Sequence, residues 1–228
     1  MVEDRGWRYE LKMACDLARL AQARTWIRLH PAGFRTAFPP RTVNNLYFDT
    51  PDLNSLFANT YGVGSRQKLR LRWYGETLPT TLSHSVLELK YKDNMLGNKK
   101  TEGLDCTLDF SQTYRQIRQT IQENSSPYWR QWLSSAAQPA LINRYRREYY
   151  VSQDGEIRAT LDYNLAFFDQ LHSLRPNLKT QAIMPSAAII EVKSTAEQAV
   201  RLEAIMADFP LPRVRFSKYV SGVMAGNF

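Results

Sequence analysis

Six segments of this chain alternate charged and apolar residues, and that period of two constrains the fold more than any other feature. They are Arg8 to Met13, Arg66 to Trp73, Glu88 to Lys92, Arg158 to Tyr163, Ile189 to Lys193 and Arg213 to Ser217. Side chains on a strand point to opposite faces with period two, so each segment has one apolar and one charged face. A charged face turned to water is the default for an antiparallel sheet. Two details count against it. Arg66, Lys68, Arg70 and Arg72 occupy one face without a break, and like charges placed side by side destabilise a sheet unless an anion neutralises them. The chain also carries several apolar helices, which need a surface to cover. A rolled sheet with its apolar face outward supplies that surface. Helices outside and charges inside describe a strand tunnel with a polar lumen.

The helical segments are read from a longer period. Leu17, Leu20, Ala21 and Ile27 follow it after Asp16, a candidate cap. Residues 51–59 read as a short helix. Tyr114, Ile117 and Ile121 form one stripe, and Ser126-Pro127 starts another helix bearing Trp129, Trp132 and Leu133. Thr195 and Gln198 read as a capping box before Leu202, Ile205, Met206 and Phe209. The segment from Arg175 to Pro185 reads as a loop. No internal repeat breaks the chain, so residues 1–228 form a single domain. The fold class expected is α+β: a closed antiparallel β-barrel with a charged lumen and helices packed outside.

At 228 residues the chain is long enough for a substantial core, and 43% hydrophobic residues exclude a disordered protein. A net charge of +8 favours an anionic partner. Two cysteines, Cys15 and Cys106, are too few for a secreted disulfide scaffold and read as free thiols in a reducing cytoplasm. No signal peptide and no membrane span is expected.

The lumen candidates are Lys12, Arg70, Arg72, Lys90, Arg144, Arg158, Lys193 and Arg215, with Lys99 or Lys100 from the hairpin after Lys90. Arginine forks bind phosphate oxygens in pairs and lysines add point charges. The carboxylates Glu10, Glu88, Glu148, Asp162 and Glu191 are fewer. Some pair with the bases, and one or two can hold Mg²⁺ or Mn²⁺ against phosphate oxygens. His30, His84 and His172 fit no metal or triad spacing, and Gly62-Val63-Gly64 precedes a strand, which excludes a Walker loop. Nucleic acid is the nearest rival partner. It is disfavoured because Tyr9, Trp73, Tyr91 and Tyr163 fall on the face opposite the charges.

These residues resemble a known family. Arg8 to Lys12, Tyr47 to Pro51, Lys68 to Gly75, Leu87 to Lys90, Asn143 to Tyr145, Arg158 to Asp162, Ile190 to Lys193 and Phe216 to Tyr219 occur in the order seen in the polyphosphate polymerase domain of vacuolar transporter chaperone (VTC) proteins, which belongs to the triphosphate tunnel metalloenzymes and includes the CYTH group among its kin. The resemblance implies a tunnel that binds a triphosphate and a divalent metal, Mn²⁺ or Mg²⁺, and passes the γ-phosphoryl of ATP to a growing inorganic polyphosphate chain. It makes Lys12, Arg70, Arg72, Lys90, Arg144 and Arg158 phosphate ligands and Glu191 the metal ligand. Ser217 and Lys218 become phosphate contacts, with Lys100 and Lys193 beside them, and Arg215 stands where a lysine is expected. The tunnel superfamily often opens on Glu-x-Glu-x-Lys, and Arg8 replaces the first glutamate here. That departure favours phosphate-chain handling over two-metal hydrolysis. A tripolyphosphate or nucleoside triphosphatase on the same fold, or a non-catalytic polyphosphate-binding module, are the alternatives. The implied partners are ATP and polyphosphate, with any membrane coupling left to a separate protein.

Overall fold

Alternation along each strand decides which side chains meet helices and which meet one another. The computed structural model describes residues 3–4, 6–184 and 186–227. Its strands are β1 (Glu3–Asp4), β2 (Arg8–Asp16), β3 (Arg35–Asp49), β4 (Ser65–Tyr74), β5 (Thr81–Leu82), β6 (Ser85–Asp93), β7 (Leu96–Leu104), β8 (Leu108–Asp109), β9 (Gln138–Val151), β10 (Arg158–Asp169) and β11 (Ala187–Thr195). The helices are α1 (Leu20–Leu29), α2 (Asn54–Thr60), α3 (Tyr114–Glu123), α4 (Pro127–Ser135), α5 (Ala199–Ala207) and α6 (Lys218–Asn227). The fold is therefore mixed α+β.

One antiparallel sheet runs β7-β2-β11-β10-β9-β3-β4-β6 and returns to β7 through the β6–β7 hairpin, so it closes on itself as a ring. β1 pairs on the edge of β7, and β5 and β8 form a separate pair. Between β2 and β7 the ladder is short, with partners at Arg8–Gly97 and Tyr9–Leu96.

The outward face of the ring is apolar and covered. Leu69, Leu71 and Trp73 of β4 and Leu87 and Leu89 of β6 pack with Ile117, Ile121, Trp129 and Leu133 of α3 and α4. Leu11 and Met13 of β2 and Ile190 and Val192 of β11 pack with Ala23 and Ile27 of α1 and Leu202 and Ile205 of α5. Burying side chains of this size stabilises the fold by about 1.5–3 kcal/mol each, and that gain holds the charged faces inward.

Helix α6 departs from the expected placement of helices outside. Tyr219 and Val223 pack with Tyr47, Leu141 and Phe167, residues on the inward face of β3, β9 and β10. Tyr219 stacks on Tyr47 at 5.1 Å and its hydroxyl donates to Asp49. A Cβ on Gly222 would come within 2.4 Å of Phe167 and 2.6 Å of Leu141, so the close approach of α6 needs glycine there. The helix thus lies across one end of the ring.

Three local expectations are corrected. Residues 213–217 do not form a strand: Arg213 makes an isolated bridge to Met13, and Val214 N–H donates to the Lys12 carbonyl before the chain turns into α6. Thr195 and Gln198 form no capping box, since α5 begins at Ala199 with no side-chain cap. The box belongs to α3, where Thr113 and Gln116 cap each other. Asp16 likewise gives no side-chain cap, and a 3₁₀ turn at Leu17–Arg19 precedes α1. Residues 175–184 are irregular, pinned through Asn177 to Gln170 and Thr180. Pro185 lies outside the described residues.

Candidate phosphate-binding site

The inward faces of seven strands bring their charged side chains together. Lys12 of β2 bridges Glu10 and Glu191, 3.1 Å from each. Lys193 of β11 does the same, 2.7 Å from Glu191 and 3.6 Å from Glu10. Lys90 of β6 reaches Glu10 at 2.9 Å. Glu88 of β6 receives Arg70 at 2.7 Å, Arg72 at 3.3 Å and Lys99 at 2.9 Å. Arg147 of β9 forks onto Asp162 of β10 at 2.5 and 2.6 Å and lies 3.5 Å from Glu191. Lys218, the first residue of α6, enters from the end of the ring, 2.5 Å from Asp162 and 3.4 Å from Glu191. Four carboxylates therefore share a larger set of bases.

Lys68 shows the imbalance most clearly. Its ammonium donates to Ser217 Oγ at 2.8 Å and is paired with no carboxylate among the described residues. Burial pushes it well below the ordinary lysine range, and Lys90 and Lys12 push it further. Burial also lowers Lys90 to about 8 against the opposing pull of Glu10, and lowers Lys99 to about 8 against Glu88. For the carboxylates the balance is reversed. Burial raises Glu10 and Glu191, but Lys90, Lys12 and Lys193 around the first, and Lys12, Lys193, Lys218 and Arg147 around the second, hold both well below the usual carboxylate range.

Among the sequence candidates, the ring brings together Lys12, Arg70, Arg72, Lys90, Lys193, Ser217, Lys218 and Glu191. Arg158 stands at the start of β10, exposed, on the face shared by Thr160 and Asp162 and next to Lys193 in the ladder. Four candidates lie elsewhere. Arg144 points outward, where its guanidinium donates to the Glu76 carbonyl. Glu148, a lumen carboxylate by expectation, faces out to Arg24 of α1 at 2.6 Å. Lys100 sits over the Tyr128 ring of α4, 5.0 Å from its centroid, because its ladder partner is the outward-facing Leu89. Arg215 is exposed and near Arg66, outside the cluster. Sequence reasoning missed Lys68 and Arg147 as members of the cluster.

A hard divalent cation takes carboxylate and phosphate oxygens. No group of three or more His, Cys, Asp or Glu side chains gathers among the described residues. The donor set nearest to such a site is Glu10 with Glu191, tied together by Lys12 and Lys193. Two carboxylates completed by substrate phosphates fit Mg²⁺ or Mn²⁺.

The VTC domain model matches residues 7–226. No curated protein matches the chain. Solved structures similar to it include the PH1819 protein from Pyrococcus horikoshii OT3, 13% identical over 97% of this chain and 99% of that chain with a TM-score of 0.47. A putative adenylate cyclase from Vibrio parahaemolyticus is 14% identical over 93% and 95%, with a TM-score of 0.49. The Schizosaccharomyces pombe Mediator head module is 11% identical over 92% and 100%, with a TM-score of 0.44.

Proposed function

The chain belongs to the VTC domain family, and from that premise we propose that its ring is a triphosphate tunnel that makes polyphosphate from ATP with the help of a divalent cation. The observation that carries the reading is the buried excess of bases, drawn from separate strands onto one inward face. Desolvating unpaired charges costs several kcal/mol each. An empty protein bears a cost at Lys68, either as a desolvated charge or as a proton given up, and a bound phosphate chain removes it.

In this reading Arg70, Arg72, Arg147 and the lysines Lys12, Lys90, Lys99, Lys193 and Lys218 hold two phosphate groups in line. Both groups are anionic, so the positive interior offsets their mutual repulsion as well as the charge of the transition state. A terminal oxygen of the acceptor chain forms a bond to the γ-phosphorus of ATP, the bond from that phosphorus to the β–γ bridging oxygen breaks, and ADP leaves with the electron pair. The attacking oxygen is already ionised, so the step needs no general base. Glu10 and Glu191 would hold Mg²⁺ or Mn²⁺, which supplies charge neutralisation on the phosphate oxygens. Lys12 and Lys193 then turn from these carboxylates to the phosphates.

One observation favours a second reading on the same fold. Helix α6 lies across one end of the ring, so a product would leave by the end it entered, which suits a tripolyphosphate or nucleoside triphosphatase. Incubating the protein with ATP and Mn²⁺, and resolving phosphate chains on a gel, separates the two. Long chains support the polymerase. Orthophosphate and ADP without chains support the triphosphatase. Neither product leaves a binding module.

A further inference from the structure

The half of β3 away from α6 carries a group of rings that the phosphate chemistry does not use. Arg41 lies six residues before Tyr47 on β3, roughly 20 Å along an extended strand, beyond the point where β4 ends at Tyr74 opposite Val43, so it stands well away from the Tyr47–Tyr219 stack. Its guanidinium is held by three rings: 5.8 Å from Phe38, 5.6 Å from Tyr74 and 5.9 Å from Tyr149. Phe38 meets Tyr149 edge to face at 5.9 Å. Local sequence explains the arrangement. Pro39 and Pro40 cannot donate to the ladder, and the β3–β9 register shifts on both sides of Phe38. Such irregularities re-aim side chains at the rims of closed sheets.

The cluster is exposed and continuous with the basic interior. Phe38 is 56% exposed and Tyr74 50%. Arg41 makes no hydrogen bond or ion pair among the described residues, so its N–H donors are unspent. Its partner across the ladder is Arg147, which forks onto Asp162 inside the ring. Tyr149 lies within electrostatic reach of Arg147 and Arg72. An inorganic phosphate chain has no group that gains from aromatic rings. A nucleotide does: its base stacks on rings and on a guanidinium plane.

We infer that Phe38, Arg41, Tyr74 and Tyr149 form a stacking platform for the base of a nucleoside triphosphate whose phosphates enter the ring. The inference rests on the phosphate-binding reading above and adds the means by which a nucleotide is told from inorganic tripolyphosphate. It is tested by titration calorimetry of the full chain with ATP and with inorganic tripolyphosphate, using the native protein, a Phe38→Ala/Tyr74→Ala double variant and Tyr74→Phe. Both truncated side chains are half exposed, so the variant keeps its core. The expected result is a loss of ATP affinity of about tenfold or more in the double variant, unchanged tripolyphosphate affinity, and near-native ATP binding in Tyr74→Phe. Equal weakening of both ligands, or unchanged ATP affinity, overturns the platform and leaves the phosphate reading standing. A native protein that binds neither ligand overturns both.

Discussion

Glu191 takes ion pairs from Lys12, Lys193, Lys218 and Arg147, which gives its substitution two opposed effects. In Glu191→Gln the four cations lose a shared buried counter-charge, at a cost of about 3 kcal/mol. The Tm of the empty protein should fall by roughly 5–10 °C. The interior becomes more positive, so tripolyphosphate without metal should bind at least as tightly as to the native protein, while metal-dependent turnover is lost. Normal turnover that still requires a divalent cation would rule Glu191 out as a ligand. Lys90 and Lys99 supply a pH test. Both are lowered to about 8 from an ordinary 10.5. Between those values the unfolded chain keeps a proton that the folded chain has lost, so these groups make the empty protein more stable as pH rises through that window. A bound anion restores the proton. Tripolyphosphate binding at about pH 9 should therefore take up protons, read by calorimetry in buffers of different ionisation enthalpy, and its affinity should fall from neutral to alkaline pH. Zero uptake would contradict the assignment of Lys90 and Lys99 to the site. At this scale the sequence was legible where one face alone carried charge, as in Arg70 and Arg72. It was illegible in β9, where Arg144, Arg146, Arg147 and Glu148 put charge on both faces. There the inward face is marked by the buried Asn143 and Tyr145, and the outward face by Ile142 and Tyr150.

The β6–β7 hairpin shows how one turn fixes a site. Asp93 pairs with Leu96, leaving Asn94 and Met95 as a two-residue turn with Asn94 in the left-handed region, φ 51°. That turn pairs Lys90 with Lys99 and puts Lys100 opposite Leu89. A slip of one residue would exchange Lys99 and Lys100 between the faces. Asn94 is followed by methionine where glycine is the usual signal, which is why the sequence left both lysines open. The hairpin predicts that Lys99→Ala weakens tripolyphosphate binding several-fold and that Lys100→Ala leaves it unchanged, as measured by calorimetry. The reverse order would mean the hairpin is paired one residue out of register. Helix α6 was hidden for a different reason. No helix was expected over Lys218–Asn227, and its position across the ring end depends on long-range contacts with Leu141 and Phe167 that no local period reveals.

At the scale of the whole molecule, closure of the sheet turns scattered bases into one charged interior surface. Apolar burial on the outside supplies the stability, and the charged inside spends part of it. The alternation along the strands was sufficient to predict this division, because period two needs no partner to be read. Closure itself was inferred from charge crowding and lies in the pairing of β6 with β7. Among the described residues no helix is long and apolar enough to cross a membrane. If the interior is a site for a phosphate chain, an anion reaching several strands at once must stabilise the folded protein far more than separate small anions, which each lose their own freedom on binding. A ligand at a hundredfold excess over its Kd contributes about 2.7 kcal/mol, worth roughly 5–10 °C for a chain of this size. The deciding measurement is the Tm with tripolyphosphate against the Tm with orthophosphate at equal total phosphate. The account predicts a shift of several degrees for tripolyphosphate, much smaller for orthophosphate, and reduced by added salt as the charges are screened. A tripolyphosphate shift no larger than that of orthophosphate would contradict it.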